Sequence, residues 1–306
     1  MASRSVRAPQ PRAGEPARLR FLLLSAAVIS VICAAPAFAQ GEPPPAEHDK
    51  YSGAPLPPNT QHIVPSPITD RFALRGTFFD SAVTTSLRVD SKAAPGTLVN
   101  AERDLGLRGR VYQGRVEMYI RMRERHRLRV DYFESDRSGN KALTIPINFA
   151  DQSFRKGDVA NTELDLRMFG LTYTYSVLRY ERFELGTGLG VYLVQGDARG
   201  RVPARELSQE VSGVAPVPTI ALDGTVRISR RFAFVARGHY MNGSANNFNG
   251  SLADYHADFQ YRWRPNFAIG AGYSQTRLSL EVRGGTFPGL VSLNIRGPEL
   301  FFRVSY

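Results

Sequence analysis

From Arg71 to Tyr306 the side chains alternate with period two, the period of an extended strand whose two faces meet different surroundings. Ala253, Tyr255, Ala257, Phe259, Tyr261 and Trp263 share one face, while Asp254, His256, Asp258, Gln260 and Arg262 share the other. Phe267 to Tyr273 alternates large and small residues in the same way. Ten such stretches can be read, over 70–80, 110–122, 126–137, 161–177, 182–197, 214–228, 231–242, 250–264, 266–282 and 289–306. The apolar set changes parity near Met168 and again near Arg277, which reads either as a bulge or as a membrane boundary.

A soluble sheet would bury its apolar face. Here the apolar face is rich in aromatic residues and the opposite face is dense in charge, which fits a barrel with lipid outside and a polar lumen. The connections support that reading. Arg123 to Arg125, Leu178 to Glu181, Ser229-Arg230 and Arg264-Pro265 are tight, whereas 81–109, 138–160 and 198–213 are long, with 243–249 and 283–288 between. Short turns on one rim and longer loops on the other are the pattern of a membrane barrel. A mean hydropathy of −0.26 excludes a helical membrane bundle but not alternating strands. The expected fold is all-β: a transmembrane antiparallel up-and-down β-barrel of about ten strands, with eight or twelve as alternatives. An even count places both termini on the short-turn, periplasmic side.

The amino terminus carries an address. Five arginines against Glu15 precede the apolar run 21–35, and Pro36-Ala37-Phe38-Ala39-Gln40 closes it. Basic start, apolar stretch and Ala-x-Ala form a signal peptide over 1–39, cut between Ala39 and Gln40. Cys33, the sole cysteine, lies inside that run behind Ile32, a poor context for lipidation. Residues 40–69 are Pro-rich and read as an extended periplasmic lead-in to a barrel over 70–306. The net charge of +11 is interleaved, as in Arg127-Leu-Arg-Val-Asp131, so no basic stripe points to nucleic acid.

The last strand is the most specific signal. Leu300, Phe302, Val304 and Tyr306 lie on one face and end on a terminal aromatic. This resembles the carboxyl-terminal assembly signal of Gram-negative outer-membrane barrels. The resemblance implies the barrel assembly machinery and periplasmic chaperones as partners during biogenesis, and residence in the outer membrane. The segment Gly96 to Leu107, followed by Arg125 to Phe133, is similar to a recurrent pattern in uncharacterised proteobacterial barrel proteins. That second resemblance implies a fold and an address, with no established chemistry.

For the lumen face, the alternation predicts charges of both signs, Arg115, Glu117, Arg121, Arg129, Asp131, Asp223, Arg237, Asp254, Asp258, Glu299 and Arg303, joined with His239 and His256 in an ion network, because charges removed from water need partners. A ten-stranded barrel is only slightly wider than one that side chains fill, so a plugged interior is expected. Gly186, Gly188 and Gly190 lie mid-strand, without a following helix, and read as room for long arginines rather than a phosphate loop. Pairing across 243–249 would bring His239 beside Asp254 near the outer rim, with His256 on the same face; such a pair resembles the rim residues of omptin proteases. No cofactor or metal motif is present. Arginines crowd the short turns (121, 123, 125, 127, 179, 182, 230, 231 and 264) and would meet anionic lipid head groups. The expected function is non-enzymatic, structural or surface-interacting. A narrow pore and a rim hydrolase acting on lipid A or peptides are the alternatives.

Overall fold

A computed structural model describes residues 65–91, 95–149, 152–245, 248–283 and 288–306. The leader, with Ala37, Ala39 and Gln40, and the Pro-rich run as far as residue 64 lie outside the described residues. Ten strands form one antiparallel sheet: β1 (Phe72–Val89), β3 (Arg110–Arg121), β4 (His126–Ala142), β7 (Val159–Arg179), β8 (Phe183–Val202), β9 (Leu207–Arg227), β10 (Phe232–Ala245), β11 (Phe248–Arg264), β12 (Phe267–Val282) and β13 (Gly289–Ser305). They pair in chain order, and β13 returns to β1 to close the barrel. The smaller pieces are β2 (Val99–Asn100), the one-turn helix α1 (Ala101–Asp104) and the hairpin of β5 (Ile147–Phe149) with β6 (Gln152–Phe154).

Closure is made by the chain ends. The Tyr306 carbonyl accepts from the Phe72 amide, and the Tyr306 amide donates to the Phe72 carbonyl, both at 2.8 Å. Arg71 also bonds to Arg121 beside the first tight turn, so the first strand, the last strand and the short turns share one end. A closed ladder leaves no unpaired edge for lipid to desolvate, the condition for spanning a bilayer.

The faces fall as the alternation requires. Tyr255, Phe259 and Trp263 are 48, 58 and 45 % exposed, whereas Asp254, His256, Asp258, Gln260 and Arg262 are buried. Leu300, Phe302 and Tyr306 face outward on β13. An apolar belt therefore surrounds a charged interior.

At Met168 and Arg277 the geometry does not slip. β7 turns even-numbered residues inward from Ala160 to Ser176, and β12 does so from Ala268 to Leu280. Register shifts occur elsewhere, between Ser176 and Leu178 and between Arg262 and Arg264, next to short turns. What changes along each strand is chemistry. Near the short turns polar residues face in; farther out Leu164, Leu166, Met168, Leu278 and Leu280 face in, while Glu163, Asp165, Ser279 and Glu281 face out. The parity change is the membrane boundary. Beyond it the barrel continues with the faces of a water-soluble protein.

That inversion explains why the long connections are shorter than the alternation predicts. β1 runs on to Val89, and β8 and β9 pair from Phe183–Val226 to Val202–Leu207, where a 3₁₀ turn at Pro203–Arg205 joins them. The remaining outer segments pack as a cap. Val99, Ala101, Leu105 and Leu107 meet Leu143, Ile147, Phe149 and Phe154 over Leu87, Val89, Ala160 and Val202. The Thr97 amide donates to the Asn148 carbonyl, tying the two outer connections together. Asn100 caps α1 by accepting from the Arg103 amide at 2.8 Å. Arg103 lies against the Asp104 carboxylate and holds its pKa below the usual value.

The inverted belt sets a depth-dependent cost. Phe259→Arg, at the middle of the apolar band of β11, should destabilise the folded protein in lipid vesicles by about 2–4 kcal/mol. Ser251→Arg, outward on the same strand but above the band, should cost under ~1 kcal/mol in the same urea titration.

Candidate functional site

The lumen is filled from the short-turn end upward. The end of the Pro-rich stretch turns into the mouth there, where Ser66, Pro67, Ile68 and Asp70 are buried. Asp70 receives Arg262 at 2.6 Å and Arg303 at 3.0 Å. Arg121 forms a two-pronged pair with Glu184, through Nη1 at 2.8 Å and Nη2 at 2.9 Å. Arg127 and Arg129 reach Asp223 at 3.4 and 3.1 Å. Above them Arg75 meets Glu299 at 2.6 Å, Asp258 at 2.8 Å and Glu117 at 3.3 Å, and Arg237 closes on Glu117 at 2.8 Å. Arg115 pairs with Asp254 at 3.5 Å and contacts His256, whose ring nitrogens lie 3.2 Å from Asp254 and 3.3 Å from Glu299.

Most of the expected ion network is therefore brought together: Arg115, Glu117, Arg237, Asp254, His256, Asp258 and Arg303 all take part. Asp131 is buried on the same face but forms none of these ion pairs. His239 stands opposite Asp254 in register, yet its ring stacks edge-on to Tyr192 at 5.2 Å and lies 3.5 Å from the Thr219 hydroxyl. The rim placement of this pair is corrected: His239 and Asp254 are each 2 % exposed and lie deep in the lumen.

Sequence reasoning missed Asp70, Arg75, Arg127, Glu184 and Arg262 as network members. Arg75, Glu184 and Arg262 share parity with neighbouring inward residues, which is the signal that was available. Arg121 turns inward as its lumen reading requires, not toward head groups, and Arg127, read only as a turn arginine, does the same, since both belong to the inward parity of β3 and β4. Arg123, Arg125, Arg182, Arg230, Arg231 and Arg264 remain exposed at the short-turn rim.

Glycine makes some of this packing possible. A Cβ at Gly186 would lie 2.2 Å from Arg127 Nη2, so this glycine makes room for an arginine as expected. Gly270 instead makes room for the Phe301 ring, on which the Arg75 guanidinium stacks at 3.6 Å.

Over the charged layers sits an apolar one, built from Phe79, Val83, Phe133, Met168, Tyr192, Val217, Leu252 and Ile295. Above it is a cavity of about 490 Å³, walled by Leu87, Leu166, Val194, Ala215, Leu280 and Val291 among others. The cap packs at its upper edge, where Arg137 joins Glu102 of the cap helix at 2.6 Å. Among the described residues no cluster of His, Cys, Asp and Glu is arranged to hold a metal ion.

No family model and no curated protein sequence matches the chain. Solved outer-membrane barrels resemble its fold. The outer-membrane protease OmpT of Escherichia coli is 10 % identical, with 77 % of this chain and 96 % of that one covered and a TM-score of 0.47. Ail, the attachment invasion locus protein of Yersinia pestis, is 10 % identical over 75 % and 99 % of the two chains, at 0.33. Neisserial surface protein A is 13 % identical over 77 % and 97 %, at 0.31. Closed ladder, apolar belt and charged lumen together define a closed antiparallel β-barrel of the membrane-spanning type.

The network makes Arg75 the residue on which three carboxylates depend. Arg75→Ala should cost about 3–5 kcal/mol in urea unfolding from vesicles, because Glu117, Asp258 and Glu299 would lose a shared partner. A loss under 1 kcal/mol would show that water already solvates them.

Proposed function

We propose that this protein is a non-conducting barrel that acts through its outer half, in a surface-interaction role. The observation that carries this reading is the double seal of the lumen: paired charges below, an apolar layer above. An aqueous pore needs a continuous polar path, and Phe133, Leu252 and Ile295 interrupt it with side chains at most 2 % exposed. The outer half, with its extended β7, β8 and β9 and its packed cap, is the part that meets the exterior. A rim hydrolase is disfavoured by the burial of Asp254 and His256 beneath the apolar layer.

Export fits the leader over 1–39 and passage through the periplasm with chaperones. Leu300, Phe302, Val304 and Tyr306 would present the assembly signal to the barrel assembly machinery. Arg123, Arg125, Arg182, Arg230, Arg231 and Arg264 would meet anionic head groups of the inner leaflet, each worth ~1 kcal/mol near the surface. Planar-bilayer recording tests the closed reading. The protein should insert without discrete conductance steps; reproducible open-channel steps would replace this reading with a narrow pore.

A further inference from the structure

The barrel wall is not paired over its whole height. β9 and β10 pair from Arg227–Ala233 to Ile220–Tyr240 and no farther. Beyond that point β9 continues for thirteen residues to Leu207, paired only with β8, while β10 continues for five to Ala245, paired only with β11. Among the other neighbouring long strands only β3 and β4 also part early, after Gly114–Glu134, and there Leu107 of the cap segment bridges to Gly139 of β4; no such bridge spans β9 and β10 among the described residues. The wall therefore has a slit between β9 and β10 that opens just above Ile220 and Tyr240, two of the outward apolar residues of the belt.

The sequence supplies the cause. The Arg227 amide of β9 bonds to Arg182 on the β8 side, and the Ile228 amide bonds to Phe232 on the β10 side. Successive residues of a strand present their backbone groups to opposite neighbours. Even-numbered residues of β9 therefore face β10, and the next two are Pro218 and Pro216. In continued register they would stand opposite Asn242 and Ser244, and neither proline has an N–H to donate. Proline confined to the open edge of a strand is the usual way to end pairing on that side without breaking the other.

The cavity of about 490 Å³ lies beside this slit. Ser212, Gly213, Val214 and Ala215 of β9 line it consecutively, so both faces of that edge border the space. Leu278, Leu280, Val291 and Leu293 line the far side, and no residue of β10 or β11 is among the walls. Beside the slit, Met241 of β10 and Phe248 of β11 pack on the apolar layer. The volume is in the range of a small-molecule site. Its few polar walls are already engaged: Arg137 by Glu102 and Thr85, Ser135 by Gln113, and Gln195 by Asp197 at 3.1 Å. The remaining charged wall residue, Asp165, lies on the outward face of β7, so no unengaged charge faces into the space.

We propose that the outer half of the barrel binds an uncharged hydrophobic molecule, an aliphatic chain or small aromatic ring system, which enters sideways through the slit between β9 and β10. An apolar solute concentrated at the membrane interface meets the opening at Val214, which is 66 % exposed, and passes to walls of Leu and Val without crossing the cap. This inference rests on the lumen being closed below the cavity, which bilayer recording tests separately.

The test uses the full protein in phospholipid nanodiscs, with N-phenyl-1-naphthylamine as the probe and empty nanodiscs as the blank. Wild type should show a saturable one-to-one component above the blank, displaced by dodecanol and unaffected by maltose. Ala215→Trp, which fills the space, should weaken binding at least tenfold. Should that variant not fold, dodecanol displacement on wild type carries the same test. Val214→Arg at the slit should slow association at least fivefold with affinity held within twofold. Absence of a saturable component, or wild-type binding by folded Ala215→Trp, would overturn the site. Wild-type association by Val214→Arg would overturn the sideways route.

Discussion

A strand ladder can stand in a bilayer only if it closes, because hydrocarbon offers no partner to an exposed amide. In this chain closure falls to the pairing of β13 with β1, from Ala73–Ser305 to Val89–Gly289, with Tyr306 bonded to Phe72 at the seam. Closing the sheet fixes which residues are enclosed. Once Arg75, Glu117, Asp258 and Glu299 are inside, away from bulk water, mutual pairing offsets the hydration they give up.

The same strands serve two solvents in succession. In the band of Tyr255, Phe259 and Trp263 the outer face is apolar and the inner face charged. Past the boundary the inner face takes Leu166, Leu278 and Leu280, and the outer face takes Asp165 and Glu281. Length follows from this division: a crossing needs about 9–11 residues, and β7 and β9 have 21 each. The surplus builds the apolar layer, the cavity and the footing of the cap. Pro216 and Pro218 then end pairing along one edge of that surplus, so the outer half is the part of the wall that can open.

Much of this was legible in the residues. Period two and aromatic density revealed ten strands, their order and their faces, because a wrong parity would put Asp254 or Arg262 into lipid. The lumen pairs were legible as a set of inward charges but not as partners, since Arg75 meets Glu299 across 224 positions of chain. The outer half was hardest to read. Its alternation is inverted relative to the membrane band, so 198–213 looks like a loop although it is a hairpin paired to its tip. The His239–Asp254 pair was placed correctly in register but at the wrong depth, because alternation tells which way a side chain faces and not how far the wall rises above it.

The single tryptophan allows the orientation of the whole barrel to be measured. Trp263 faces outward at the short-turn end of β11, beside Phe267 and Phe302. In vesicles containing brominated phospholipids its fluorescence should be strongly quenched, most by bromines near the head group, and folding should require lipid or detergent. A chain that folds in plain buffer with Trp263 fluorescence untouched by brominated lipid would mean that the aromatic face points inward, contrary to everything inferred from it.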